Sequence, residues 1–255
     1  MTLERRQTTR PILTAEIIIV LMLSLGQSAI YSVVSLVAKL TADKPLSQQA
    51  AVLNASQSPR PYLDLTYQLL DIVFDLIPVA LALYLLLRDR ISPRDELGLS
   101  ADRQRFDWGW GALLAACIGV PGVLLVYVAK LLGINAEIVP AALQPVWWAV
   151  PVLVLSAIQN AVLEEVIVVG YLMTRLKQWG MSTVAIIACS AVLRGSYHLY
   201  QGFGAFVGNA IMGVIFALFF VRTKRVMPLV IAHTLLDVVA FVGYASLPDS
   251  WLNWV

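Results

Sequence analysis

Seven stretches of this chain are apolar enough, and nearly long enough, to cross a bilayer: about 12–40, 64–87, 108–132, 146–174, 183–200, 205–221 and 226–246. A spanning helix needs about 20 mainly apolar residues. Backbone polar groups in lipid must be satisfied within the protein, and the alternating segments of about 10 residues that build a β-barrel are missing, so these stretches read as helices. Charged residues make up 13% of the 255-residue chain and hydrophobic ones 59%. A soluble domain carries about a quarter charged residues. The expected fold is therefore all-α: a polytopic bundle of about seven transmembrane helices. Residues 1–140 would supply the N-terminal helices, and 141–255 the core that carries the chemistry.

The cations set the expected orientation. Arg5, Arg6 and Arg10 precede the first stretch, and Arg88, Arg90, Arg94, Arg103 and Arg105 follow the second. Arg175 and Lys177 follow the fourth, and Arg222, Lys224 and Arg225 separate the last two. Only Lys39, Lys44, Arg60 and Lys130 fall on the other side, thirteen against four. Lysine and arginine accumulate in cytoplasmic loops, which predicts a multi-pass cell-membrane protein with its N-terminus in the cytoplasm and its C-terminus outside. The apolar run that begins at Ile12 is too long for a signal peptide. No basic stripe is interleaved with aromatics, so nucleic acid is not expected as a partner. Trp147, Trp148, Trp251 and Trp254 suit an interfacial belt. Cys117 and Cys189 read as small buried apolar residues rather than a disulfide. Residues 41–63 read as a polar loop that contains Pro45, Pro59 and Pro61.

Against this background the ionisable groups inside apolar stretches stand out, because they are costly in lipid unless they pair or act. The chain has two histidines, His198 and His233, and both lie in such stretches, as do Glu164 and Glu165. At the helical rise, Glu164 lies about 16 Å from Arg175, while His233 and Asp237 lie about 10 and 17 Å from Val226. These three could share one layer. His198 sits deeper, about 24 Å from Ser182, and needs a tilt or a break, which Gly195, Gly202 and Gly204 would allow. His233 and Asp237 share a helix face, as do Arg194 and His198. Asp71 and Asp75 share another, where hydrating a cavity or bonding to neighbouring helices is expected rather than catalysis. Glu164 and Glu165 point about 100° apart, so their roles should differ.

These residues resemble the motifs of the CAAX protease and bacteriocin-processing (CPBP, or Abi) family. Glu164-Glu165 with Gly170-Tyr171-Leu172 resembles the first motif, the segment from Arg194 to His198 the second, and His233-Thr-Leu-Leu-Asp237 the third. The resemblance spans about residues 145–246. It implies an intramembrane endopeptidase whose helices surround a cytoplasm-facing polar cavity, acting on a peptide or lipidated protein substrate in contact with membrane lipid, with Glu164, Glu165, His198, His233 and Asp237 as catalytic residues and Arg194 in support. Glu164 with His198 would activate water, and His233 would bind the oxyanion. The chain departs from the family at two positions. Val169 stands where the first motif usually has arginine, and Arg194 where the second has phenylalanine. A guanidinium moved between neighbouring helices would reach the same carboxylate. A metal-free site is the preferred expectation. The alternative is Zn²⁺ held by Glu164, His198, His233 and Asp237, although no HExxH sequence is present. The rival functions are an inactive scaffold or immunity protein of the family, and an ion-coupled carrier. The absence of an internal repeat weighs against the carrier.

Overall fold

The computed structural model describes residues 9–246, which leaves the expectations about Arg5, Arg6, Trp251 and Trp254 outside the described residues. In chain order the elements are α1 (Arg10–Met22), α2 (Leu25–Leu40), β1 (Ala50–Ala55), α3 (Pro61–Asp75), α4 (Ile77–Arg88), the short α5 (Pro93–Glu96), α6 (Gln104–Leu131), β2 (Glu137–Ala142) and α7 (Ala149–Glu164). A π-helical segment, Glu165–Tyr171, leads into α8 (Leu172–Trp179), and α9 (Thr183–Ser196), α10 (Phe203–Thr223) and α11 (Met227–Ser246) complete the bundle.

The molecule is all-α apart from one small ribbon. Among the described residues, five helical runs are long and apolar enough to cross a membrane, and α1 with α2 makes a sixth if the bent pair is one span. The seventh expected span falls short. α9 has 14 residues, about 21 Å of helix against a hydrocarbon core of about 30 Å. The run 146–174 is one span, continuous from Ala149 to Trp179, with Pro151 in its first turn where a missing N–H costs nothing.

Two breaks have local causes. The axis turns by 55° between α1 and α2. There the Ser24 hydroxyl donates to the Val20 carbonyl at 2.7 Å, a side-chain bond that competes with the helix ladder. A Cβ on Gly26 would lie 2.8 Å from the Leu21 carbonyl oxygen, so only glycine fits. The second break ends α9. Gly202 takes φ +122°, in the region that favours glycine, and its neighbours bond to the segment before β2, with Phe203 donating to Ile134 and Ala136 to Gln201 at 2.9 Å each.

Residues 41–63 are more than a polar loop. β1 pairs in parallel with β2, Ala50 opposite Glu137 and Ala55 opposite Ala142. The ribbon caps one end of the bundle, tied down by Gln68 Nε2 donating to the Ala55 carbonyl at 2.9 Å. Trp148 is buried rather than interfacial, and Trp147 is exposed. Cys117 and Cys189 are free and exposed on the outside of the bundle, not buried. An apolar helix face packs equally well against lipid or protein, so hydropathy alone does not separate the two.

The core gathers side chains from nearly every helix, including Val20, Leu86, Ile167, Phe216 and Leu229. α11 lies against α6 and α7. A Cβ on Gly111 would come within 2.5 Å of Ile231, so the glycine permits that close crossing. At the end opposite the ribbon, buried ion pairs hold the helices together. Arg175, with no exposed surface, bonds Asp89 at 2.7 Å and Glu16 at 3.1 Å, and Arg88 also contacts Glu16. Arg225 bonds Asp107 at 2.7 Å.

Candidate active site

The site lies where α7, the 165–171 segment, the end of α9 and α11 meet. The π-helical segment matters because it follows directly on the paired glutamates. Such wide turns are uncommon and concentrate at functional sites. Glu164 is the last residue of the α-helical ladder and Glu165 the first of the widened one.

Arg194 reaches both glutamates from α9. Its Nη2 lies 2.7 Å from each oxygen of Glu165, and its Nη1 3.2 Å from Glu164 Oε2. Arg194 and Glu165 have no exposed surface. A buried carboxylate requires this kind of paired, hydrogen-bonded partner. The guanidinium also stacks over Phe216, 5.4 Å from the ring centre. Val169, where the motif would carry arginine, is fully buried in the same wall.

His233 Nδ1 lies 2.7 Å from Glu165 Oε1. An ionised carboxylate only accepts, so Nδ1 carries the hydrogen. The other ring nitrogen lies 3.7 Å from Asp237 Oδ1, one helical turn on. This gap is longer than a hydrogen bond. Glu165 therefore serves Arg194 and His233 with both of its oxygens. Glu164 differs from it. Oε2 accepts from the Tyr197 hydroxyl at 2.7 Å and from Arg194, and among the described residues no side-chain hydrogen bond occupies Oε1.

His198 sits just past α9, in the turn that the sequence required to bring it to the other residues. Its Nδ1 lies 2.9 Å from the Arg194 carbonyl. A carbonyl cannot donate, so the proton is on Nδ1 and the neutral ring offers the Nε2 lone pair. The Tyr197 and His198 rings lie 4.8 Å apart, centre to centre.

A cavity of about 390 Å³ joins these groups. Glu164, Tyr197, His198, His233 and Asp237 line its floor, and Asp71 and Asp75 of α3 line its wall. Asp71 accepts from Gln57 Nε2 at 2.7 Å. Asn54, Ala55 and Gln57 line it under the ribbon, and among the described residues no lysine or arginine does. The buried ion pairs of Arg175 and Arg225 lie at the other end of the bundle.

All six residues expected from sequence are in this region, and Tyr197 joins them. Gln159 also lines the cavity, and its buried Nε2 has no hydrogen-bond partner among the described residues. The potential metal ligands within 4.8 Å of one another are Glu164, Glu165 and His233, not the set with His198 and Asp237. A cation there would compete with the Arg194 guanidinium, which already bonds both carboxylates.

A family profile described as type II CAAX prenyl endopeptidase, Rce1-like, matches residues 146–239. No curated protein and no solved structure matches the chain. The matched segment contains Glu164, Glu165, Arg194, His198, His233 and Asp237, and over those residues the chain is similar to the CAAX prenyl endopeptidases.

Proposed function

We propose that the chain is an intramembrane endopeptidase that hydrolyses a peptide bond of a membrane-associated polypeptide, lipid-modified or not, with water activated by Glu164 and without a metal. The carrying observation is the asymmetry of the two glutamates. Glu165 is saturated by Arg194 and His233, whereas Glu164 faces the cavity with one oxygen uncommitted.

The proposed sequence follows from these contacts. Water in the cavity donates one proton to Glu164 while His198 Nε2 holds its other hydrogen. The hydroxide formed attacks the scissile carbonyl carbon. The carbonyl oxygen becomes an oxyanion beside His233, which donates from Nε2 when both ring nitrogens are protonated. A fixed donor in a dry site is most effective at that moment. The C–N bond then breaks, and the proton on Glu164 passes to the departing amine. Asp237, 3.7 Å from His233 Nε2, accepts hydrogen bonds when ionised and so does not itself stabilise the oxyanion. Arg194 bonds both glutamates and fixes their positions. Tyr197 orients Glu164. In this reading the site lies in a cell membrane with the chain's N-terminus in the cytoplasm.

The test compares peptides released from membranes carrying wild type and Glu164→Ala. Products present only with wild type are expected. Identical peptide sets would leave the scaffold reading in place. Stoichiometric zinc in active purified protein would overturn the metal-free step.

A further inference from the structure

The cavity is closed at one end and open at the other, and the two ends differ in charge. From Glu165 towards the basic end, Val166, Ile167, Val168, Val169 and Tyr171 are all buried, and Leu97, Val226 and Leu229 back them. Beyond this plug lie the ion pairs of Arg175 and Arg225.

The other end is a slot. Asp71 and Asp75 are exposed on α3 and face the cavity, opposite Ser28 of α2. They lie about 15 and 21 Å along the helix from Pro61, deep in an apolar span. Carboxylates at that depth are tolerated only in a water-filled space or with partners. After the 55° bend, Ser32 donates to the Tyr197 carbonyl at 2.7 Å and Lys39 to the Tyr200 carbonyl at 2.9 Å. These bonds tie α2 to the turn that carries His198.

The closed end holds Arg10, Arg88, Arg90, Arg94, Arg103, Arg105, Arg175, Lys177, Arg222, Lys224 and Arg225, whereas the open end holds Lys39, Lys44, Arg60 and Lys130. The charge bias assigns the closed end to the cytoplasm. We infer that the site is reached from the non-cytoplasmic face, through the slot between α2 and α3 beneath the ribbon, and that its substrates are polypeptide segments exposed on that face. This rests on the peptidase reading only for what enters. The route itself follows from the cavity and the charges.

The test is thiol labelling of the full chain in its membrane. Cys117 and Cys189 are exposed and free, so both are first changed to serine. Single variants Gln57→Cys, Asp71→Cys and Arg94→Cys are then treated with a membrane-impermeant maleimide, in intact cells and in inverted vesicles. Gln57→Cys and Asp71→Cys are expected to gain label in intact cells, and Arg94→Cys only in inverted vesicles. Tyr62→Cys, exposed in the first turn of α3, replaces Gln57→Cys if that variant does not accumulate. Labelling of Asp71→Cys only from the face that labels Arg94→Cys would overturn the route, and so would its failure to label from either face. Labelling of Gln57→Cys only in inverted vesicles would overturn the orientation. No cleavage is needed for the readout, so a failed peptidase reading and a failed route give different results.

Discussion

Two buried clusters of carboxylates and guanidinium groups sit on the same long helix, and only one of them borders a cavity. At the basic end, Arg175 bridges Glu16 and Asp89, and packed helices close over all three. About three turns earlier on that helix, Glu164 and Glu165 are bridged in much the same way by Arg194 of α9. The difference lies in what remains uncommitted. Around Arg194, two histidines, a tyrosine and a half-buried aspartate line a space that water can fill, and Glu164 keeps a free oxygen. Burial and ion pairing alone therefore do not mark a site. An unspent lone pair facing a cavity does.

Substitutions in the two clusters should separate them. The largest effect is expected from Glu164→Gln, which removes the proposed base and lowers peptide cleavage by about 10²–10⁴-fold while thermal unfolding in detergent barely moves. Arg175→Met should do the reverse. Stripping a buried pair of its cation costs about 3–5 kcal/mol, read as a lower unfolding midpoint, with unchanged turnover in the protein that stays folded. Equal turnover losses in both variants would erase the distinction.

Arg194→Phe should impair both folding and turnover, by a similar energy at the site. Val169 lies four residues beyond Glu165 in the same buried wall, so Val169→Arg is expected to restore part of the loss in Arg194→Phe. A double variant that folds but remains as inactive as the single would refute the exchange of arginine between helices. Tyr197→Phe deletes one hydrogen bond to a charged oxygen, worth about 1.5–3 kcal/mol, and turnover should fall about tenfold or somewhat more. Asp71→Asn is expected to change turnover by no more than about twofold, as for an exposed substitution. A larger loss would move α3 into the chemistry.

The ionisable groups of the site were legible because lipid makes each of them conspicuous. The puzzle of His198 was legible too, as a mismatch of depth, and the break at Tyr197–Gly202 resolves it. Other features were hidden for physical reasons. The ribbon pairs strands more than 80 residues apart, and short polar segments carry no sign of such a partner. Arg175 counted as a loop cation, since a helix's last turn and the loop after it look alike in sequence. The role of Tyr197 depends on where one hydroxyl points. The closure of the basic end depends on packing among Val, Ile and Leu side chains, which hydropathy sees only as a sum.

The wide turn at Glu165–Tyr171 has one more consequence. The helix that contains it links two sets of bonds that must be satisfied together, Glu164 and Glu165 on one side of the turn and Arg175 on the other. Each residue of an α-helix advances the side-chain direction by about 100°. The π segment therefore sets the phase between the two sets, like an offset between two gears on one shaft. Deleting a single residue there would leave each set intact in composition, yet it would turn Arg175 away from Asp89 or the glutamates away from Arg194.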